Sequence, residues 1–331
     1  MDSVDRTLLN ILQYDFPLSI TPFAEIAGRI GVNERDVLDR IARLKAENII
    51  RRISPIFDSR KIGYASTLAA FMVDPNHIDD VADFVNQHPG VSHNYQRKHA
   101  YNLWFTLTVR KDVDIKRSIN HLAAKAGVQH SLYLPSIRNF KISFRLDMQN
   151  ADLDNPNSID DPQVTYHCDN EPALRIDPHF IRLVQRDMPL VTHPFADIAG
   201  QLKCTQNAIA EQLRTYLQQG YIRRIASVLT PVHAGYPHNI MVAWNIDRQH
   251  TEAFGHAAAQ IRQVSHCYER PSYPQWPYSL YTMLHGQSEE QCTALIRRME
   301  SAPGAVSYLT LPTLREFKKV RVRYFCEDQT T

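Results

Sequence analysis

The sequence predicts an α+β fold in which a winged helix-turn-helix domain and a ferredoxin-like (βαββαβ) domain occur twice in tandem. The chain has 331 residues, which is enough for several small domains. Segments 15–64 and 187–236 align without a gap and are identical at 15 of 50 positions. Each copy begins with three short amphipathic helices and continues with alternating strands and helices. The predicted domains are 1–60 (winged helix, copy one), 61–147 (ferredoxin-like, copy one), 148–173 (linker), 174–232 (winged helix, copy two) and 233–327 (ferredoxin-like, copy two).

Shorter matches extend the repeat towards the end of each copy. VSHNYQR (91–97) matches VSHCYER (264–270), and YNLWFTL (101–107) matches YSLYTML (278–284) after a four-residue insertion in copy two. The segment between the copies is rich in Asp, Asn and Pro, a composition that cannot bury enough apolar surface to fold alone. We therefore expect an internal pseudo-dimer, which could pair further into a homodimer.

Composition and charge restrict the class of protein. Hydrophobic residues make up 44% and charged residues 22% of the chain, as in ordinary globular proteins. No segment approaches the roughly 18 uninterrupted apolar residues of a membrane span, and the acidic N-terminus does not resemble a signal peptide. The five cysteines lack metal-binding or disulfide spacing. We expect a cytoplasmic protein with no membrane partner, no structural metal and no disulfide framework.

Local signals place the elements of the first domain. Pro22 suits the first turn of a helix, Gly31 suits its end, and Asn33 is a favourable N-cap for the next helix. Apolar residues at helical spacing mark one face of each helix. The predicted elements are helices at 4–14, 22–30 and 33–48, followed by a β-wing at 49–57.

The second domain alternates strands and helices in the order βαββαβ, which is the ferredoxin-like order. The final strand of copy two, 317–325, has Lys319, Arg321 and Arg323 on one face. That face is either a solvated outer surface or a cationic wall for a polycarboxylate. In copy one the predicted elements are strands at 67–73, 91–97, 102–109, 131–135 and 139–146 and helices at 76–88 and 114–127.

A helix-turn-helix domain suggests DNA binding, but the charges of its third helix do not. Helix 33–48 and its counterpart 205–219 each carry no net charge, whereas phosphate neutralisation supplies much of the affinity of DNA-binding proteins. We therefore expect no specific DNA complex. Paired arginines at each wing could contact a DNA backbone, bind an anionic ligand or only cover the surface of the wing. They are Arg51, Arg52, Arg223 and Arg224.

The hairpin around residues 91–105 carries the chemistry. A half-buried strand normally has aliphatic residues on its inward face, but here His, Tyr and Arg alternate, and His-x-Tyr-x-Arg recurs in copy two. A solvent-facing strand with accidental polar alternation is the alternative interpretation. Together these side chains offer proton donors, aromatic surface and cations for carboxylates. They are His93, Tyr95, Arg97, His99 and Tyr101 in copy one, and His266, Tyr268, Arg270, Tyr273, Trp276 and Tyr278 in copy two.

The words SHNYQRKHAYNLWFTL and SHCYERPSYPQWPYSLYTMLHG resemble the two subunit types of the siroheme decarboxylases, which are Lrp/AsnC-like proteins. The resemblance covers nearly the whole chain, with the two types fused as in NirDL proteins. It implies removal of the C12 and C18 acetate carboxyls of siroheme as carbon dioxide, giving 12,18-didecarboxysiroheme in heme d1 or alternative heme biosynthesis. It also implies siroheme as substrate with no added cofactor, and other enzymes of the heme d1 pathway as partners.

The resemblance also suggests roles for the hairpin residues. His93 and His99, supported by Tyr95, would donate protons in copy one, and His266 and Tyr268 in copy two. Further residues would bind substrate, with Arg97 and Arg270 on carboxylates and aromatic rings on the macrocycle; the rings are Tyr101, Trp276 and Tyr278. His285 is either an axial ligand to the substrate iron, a carboxylate partner or a hydrogen-bonded histidine at a strand end. A heme-responsive Lrp/AsnC-type regulator and a non-catalytic tetrapyrrole-binding protein remain the alternative functions.

Overall fold

The computed structural model describes residues 1–142, 176–230, 233 and 235–326. They form two compact units, and both copies of the repeat contribute to each unit. We call them the winged-helix unit (1–62, the described part of 145–234, and 324–326) and the sheet unit (63–142 and 235–323). The predicted linker 148–173 lies outside the described residues. Among the residues described, no helix is long and apolar enough to cross a membrane.

The described helices and strands follow the predicted order in both copies. Two 3₁₀ turns, Pro75–His77 and Arg248–His250, precede helices of the sheet unit. The helices are α1 (Ser3–Tyr14), α2 (Pro22–Ile30), α3 (Glu34–Ala46), α4 (Ile78–Gln87), α5 (Ile115–Lys125), α6 (Pro178–Val184), α7 (Ala196–Leu202), α8 (Gln206–Gln218), α9 (Thr251–Gln260) and α10 (Glu289–Glu300). The strands are β1 (Ile50–Phe57), β2 (Tyr64–Phe71), β3 (Val91–Arg97), β4 (Leu103–Arg110), β5 (Ser131–Pro135), β6 (Arg138–Ile142), β7 (Ile222–Leu229), β8 (His238–Ile246), β9 (Val264–Glu269), β10 (Leu280–Gly286) and β11 (Ala305–Lys319).

The helix boundaries of the winged-helix unit follow the predicted local signals. Pro22 begins α2, and Gly31 ends it in the left-handed conformation with φ at 75°, which costs least at glycine. The Asn33 side chain accepts a hydrogen bond from the backbone N–H of Asp36 and caps α3. Buried apolar residues on α1, α2 and α3 form the core of copy one. These predictions are confirmed.

The predicted β-wing within each copy is wrong. β1 pairs antiparallel with β7 of the other copy, with Ile53 opposite Ser227. Each copy supplies one strand here, because the chain turns at residues 58–63 and the next strand, β2, belongs to the sheet unit. A single strand exposes unpaired N–H and C=O groups, and the equivalent strand of the other copy satisfies them.

The sheet unit contains two ferredoxin-like domains joined in one nine-stranded sheet, so the predicted fold class is confirmed. The strand order is β5-β2-β4-β3-β11-β8-β10-β9-β6. β6 of copy one pairs with β9 of copy two, and the second half of β11 pairs with β3 of copy one. The copies therefore exchange their last strands reciprocally.

Buried apolar clusters lie on both faces of the sheet. On one face, helices α4 and α5 cover the sheet of copy one and α9 and α10 that of copy two. The opposite face, which we call the inner face, carries a cluster drawn from both copies. This cluster comprises Ala70, Tyr101, Trp104, Leu132, Leu134, Met241, Ala243, Trp276, Tyr281 and Leu311.

The predicted last strand of copy two is wrong beyond Lys319. β11 ends there, opposite His93, and the following N–H of Val320 donates to the carbonyl of Ser92. Its partner β3 begins at Val91, so residues beyond Val320 have passed the end of β3 and cannot pair with it. The proposed cationic face therefore keeps only Lys319 within a strand. In copy one, residues 143–146 of the predicted strand lie outside the described residues.

Candidate active site

Two equivalent His–Tyr pairs project from the inner face of the sheet. In β3, His93 lies opposite Thr106 and Tyr95 opposite Trp104, a member of the inner cluster. Directly opposite residues of an antiparallel pair share one face. In β9 the same rule places His266 opposite Met283 and Tyr268 opposite Tyr281. The predicted alternation is therefore confirmed, and both pairs are half-buried.

A serine hydroxyl contacts each of these histidines. Ser92 Oγ is 2.9 Å from Nδ1 of His93, and Ser265 Oγ is 2.8 Å from Nδ1 of His266. The ring centroids of His93 and Tyr95 are 6.2 Å apart, and those of His266 and Tyr268 are 5.8 Å apart. Each serine therefore engages the same ring nitrogen, Nδ1, in both copies. Sequence reasoning missed both serines, although each directly precedes its histidine.

Arg97 and Arg270 join the two copies. Nη1 of Arg97 donates to the carbonyl of Leu311 at 2.5 Å, and Arg270 donates to the carbonyl of Leu134. The guanidinium carbons lie 5.4 and 4.9 Å from the ring centroids of the neighbouring tyrosines. Burial lowers the pKa of Arg97 to about 10 and also lowers that of Arg270. Both link the two copies, and their predicted binding of substrate carboxylates stays a prediction.

His99 and Tyr101 lie in the turn between β3 and β4, as expected, and pack against the copy-two insertion. Nδ1 of His99 accepts from the backbone N–H of Tyr101 at 3.0 Å, and burial lowers the pKa of His99. The Trp276 ring lies edge-on to both, with centroids 5.2 and 5.7 Å away, and 4.9 Å from Tyr278. Trp276 is 1% exposed. Stacking of Trp276 on a macrocycle therefore requires the insertion to move and stays a prediction.

His285 lies on β10 of the inner face and contacts the serine of copy two. Its Nε2 is 2.8 Å from Ser265 Oγ, and the side chain is buried. Burial, and secondarily the neighbouring charges of His266 and Lys319, lower the pKa of His285 to about 3. This geometry is that of a hydrogen-bonded histidine at the end of a strand. Iron ligation through Nε2 would require breaking the contact with Ser265.

The wing arginines belong to the winged-helix unit. Arg51 and Arg52 lie on β1, and Arg223 and Arg224 lie on β7. Nη2 of Arg223 is 3.1 Å from the carboxylate of Asp58, which is 1% exposed. The predicted contact of these four residues with substrate stays a prediction.

The strand exchange gives the two His–Tyr pairs different neighbours. Copy two places Lys319 opposite His93 and Glu316 opposite Tyr95. In copy one, Ile142 and Asn139 occupy the equivalent positions opposite His266 and Tyr268. A cation and a carboxylate, 3.5 Å apart, therefore lie beside one pair, and neutral side chains lie beside the other. Sequence reasoning considered Lys319 only as part of a wall, because register across copies is not readable from a linear pattern.

The described part of the chain contains no group of three His, Cys, Asp or Glu residues that could hold a metal ion. The inner face instead presents imidazoles, phenols, a lysine, a carboxylate and two arginines. These groups can transfer protons and bind carboxylates.

The paired winged helices and the duplicated ferredoxin-like sheet define an AsnC-like ligand-binding class of protein. The family model of the AsnC-like ligand binding domain matches residues 61–141 and 233–318. The siroheme decarboxylase NirDL-like HTH domain matches residues 5–51 and 177–223.

Similarity over the full length identifies the family. The chain is 37% identical to a siroheme decarboxylase of Hydrogenobacter thermophilus, over 97% of this chain and 95% of that protein. The crystal structure of the siroheme decarboxylase NirDL covers 98% of this chain and 96% of its own, with 32% identity and a TM-score of 0.75. NirDL in complex with an iron-uroporphyrin III analogue matches at 31% identity, with the same coverages and a TM-score of 0.74. The chain belongs to the siroheme decarboxylase family.

Proposed function

We propose that this protein removes two acetate carboxyls of siroheme, at C12 and C18, as carbon dioxide without oxidation. The product is 12,18-didecarboxysiroheme, an intermediate for heme d1 or alternative heme synthesis, and other enzymes of that pathway are its expected partners. Siroheme is the substrate, and we expect no added cofactor. The observation that carries the proposal is the pair of equivalent His–Tyr sites on the inner face, each with a serine at Nδ1.

The residues supply what the reaction needs at the acetate arm. Breaking the bond between the methylene carbon and the carboxylate releases carbon dioxide and leaves an electron pair that the macrocycle delocalises. That carbon then takes one proton, which an imidazole near neutral pH delivers efficiently. We assign this proton to Nε2 of His93 in copy one and of His266 in copy two, with Tyr95 and Tyr268 beside them. The half-buried surroundings weaken solvation of the reacting carboxylate.

Cations hold the carboxylates that do not react. We propose Lys319, which lies opposite His93, as one of these cations. Arg97, Arg270 and the four wing arginines are further proposed contacts, and Tyr101, Trp276 and Tyr278 are the proposed aromatic surface. Arginine binds carboxylates in a bidentate manner, whereas lysine acts as a compact charge.

Anaerobic incubation of the protein with siroheme tests the proposal. Mass spectrometry of the extracted tetrapyrrole should show the loss of two carbon dioxide equivalents per macrocycle. Unchanged siroheme that nevertheless binds, followed by its absorbance spectrum, would indicate a non-catalytic tetrapyrrole-binding protein instead.

We also propose that the winged helices bind no specific DNA. Each cation of α3 is already paired with a carboxylate, at 2.7 to 3.2 Å. Arg214, the cation of α8, pairs with Glu211. Binding phosphate would require these pairs to break. A gel shift at physiological salt should detect no sequence-selective complex, and a tight selective one would favour the heme-responsive regulator.

A further inference from the structure

The hydroxyl of Ser265 lies between two imidazoles on the inner face. Its oxygen is 2.8 Å from Nδ1 of His266 and 2.8 Å from Nε2 of His285, and a longer contact of 3.4 Å joins it to the carbonyl of Met283. Ser265 and His285 are 4% and 6% exposed. The three side chains therefore form a chain of hydrogen bonds that runs from the half-buried His266 on β9 to the buried His285 on β10.

Copy one contains the serine–histidine contact of this hydrogen-bond chain but not the second histidine. Ser92 contacts His93 as Ser265 contacts His266. Thr108 occupies the position of His285, since its N–H donates to Gly90 as that of His285 donates to Gln263. The Thr108 hydroxyl donates instead to Ser66 Oγ at 3.0 Å. Within this hydrogen-bond chain, the copies thus differ at the group that terminates it.

Contact distances favour one direction for this chain of hydrogen bonds. A serine hydroxyl has one proton to donate and can accept two hydrogen bonds, so it donates either to one imidazole or to the Met283 carbonyl, and its 2.8 Å contact with Nε2 of His285 is shorter than its 3.4 Å contact with that carbonyl. His285 stays neutral because burial lowers its pKa to about 3, and a neutral imidazole has one accepting nitrogen. A charged His266 has protons on both nitrogens, so only donation from its Nδ1 serves both of its charge states.

We propose that Ser265 and His285 are positioning residues for His266: Nδ1–H of His266 donates to Ser265 Oγ, and the Ser265 hydroxyl donates to Nε2 of His285. This arrangement holds the ring and keeps a proton on Nδ1. The Nε2 position of His266 is then the one that gains and loses the proton used in the reaction. The consequence for catalysis rests on the proposed function, whereas the hydrogen-bond direction does not.

The proton balance of the step is simple. The bond between the methylene carbon and the carboxylate carbon breaks, carbon dioxide leaves, and the electron pair remains on the methylene carbon. That pair forms a C–H bond with the proton from Nε2 of His266. The ring becomes neutral while keeping its Nδ1 proton, and Nε2 then takes up one proton from the solvent, so that each decarboxylation consumes one proton overall. No oxidant or reductant takes part.

¹⁵N NMR of the wild-type protein labelled with ¹⁵N-histidine tests the direction of the hydrogen bond between His266 and Ser265. His266, assigned by the loss of its signals in His266→Gln, should be protonated at Nδ1 and unprotonated at Nε2 when neutral. The opposite tautomer would overturn the proposal. Because this measurement needs no turnover, failure of the wild-type protein to release carbon dioxide would contradict the proposed function and leave the tautomer result standing.

Substitution of His285 tests the consequence. His285→Leu removes the acceptor and should slow at least one decarboxylation by about 10-fold or more, a part of what a general acid contributes. His285→Gln keeps an acceptor and should restore the rate to within about threefold of wild type. Thr108→Val is the matched control in copy one, and both of its rates should remain within about twofold of wild type.

Binding of iron-uroporphyrin III, followed by absorbance, shows whether each variant is folded. Equal slowing by Leu and Gln, or no slowing by Leu in a variant that binds, would overturn the positioning role. If a variant fails to bind, the tautomer of His266 in the wild-type protein supports or overturns the proposal by itself.

Discussion

At the residue scale, the inner face uses the same few side chains twice but surrounds them differently. His93 and His266 each contact a serine through Nδ1. Their cross-strand neighbours, Lys319 and Ile142, come from the other copy and differ in charge. A cation beside one imidazole and an aliphatic group beside the other alter the local field and the affinity for a carboxylate. The two sites are therefore expected to divide the two decarboxylations.

Single histidine variants test this division. His93→Ala and His266→Ala should each slow one loss of carbon dioxide by about 100-fold or more, because each removes a general acid. Mass spectrometry over a time course should then show a singly decarboxylated species or persistent siroheme. His130→Ala, an exposed histidine, is the control. Full activity in both variants would contradict the assignment. Loss of both decarboxylations in only one of the two variants would indicate a single working site.

The buried guanidinium of Arg97 gives a second prediction at this scale. Arg97→Met should lower the free energy of unfolding by about 2 kcal/mol, because it removes a charged hydrogen bond to the Leu311 carbonyl and leaves that acceptor buried. Urea denaturation measures the change. Arg117→Met, at an exposed position on α5, should change it by less than about 0.5 kcal/mol. Equal effects of the two substitutions would argue against Arg97 as a link between the copies.

At the element scale, α3 has the position of a recognition helix but its cations are occupied. Asp5 of α1 is 1% exposed and accepts hydrogen bonds from Arg40 and Arg43 of α3. The carboxylate thus ties two helices together inside one copy.

This contact predicts a stability that depends on pH. Burial raises the pKa of Asp5, but hydrogen bonds from Arg43, the Asp2 backbone and Arg40 outweigh it and hold the pKa below its ordinary value of 3.8. A lowered folded pKa means that the stabilisation is complete above the unfolded pKa and is lost as the pH falls through the folded one. Asp5→Asn should therefore cost about 2 kcal/mol at pH 7 and less below about pH 3.8.

Denaturant unfolding at pH 7 and pH 3 measures this difference. Asp39→Asn is the control, since Asp39 and its partner Arg35 are both exposed and such pairs contribute less than about 1 kcal/mol. A cost of Asp5→Asn that is the same at both pH values would contradict the role of its charge.

At the scale of the whole molecule, the copies are interleaved rather than lined up. β1 pairs with β7 in the winged-helix unit, and in the sheet unit β6 and β11 each complete the sheet of the other copy. Either copy alone would expose unpaired strand edges and the apolar inner cluster. We therefore expect both units to form only when the two copies pair as an internal pseudo-dimer.

Dividing the chain within 143–175 tests this interdependence. Two separately encoded halves, expressed together, should purify as a one-to-one complex, because the pairings between copies are non-covalent. Each half expressed alone should aggregate or pair with itself. Size-exclusion chromatography with light scattering measures both results, and a stable folded monomer of either half would contradict the expectation.

The sequence by itself determined the repeat, the fold class, the caps at Asn33 and Gly31, and the alternation of His93 and Tyr95. These features depend on local spacing and backbone preference, which a linear pattern carries. Tertiary structure alone decided that β1 pairs across copies, that β11 ends at Lys319 and that Ser265 reaches His285, twenty residues away. Strand partners and register depend on which edges meet in the folded sheet, and no local propensity encodes that choice.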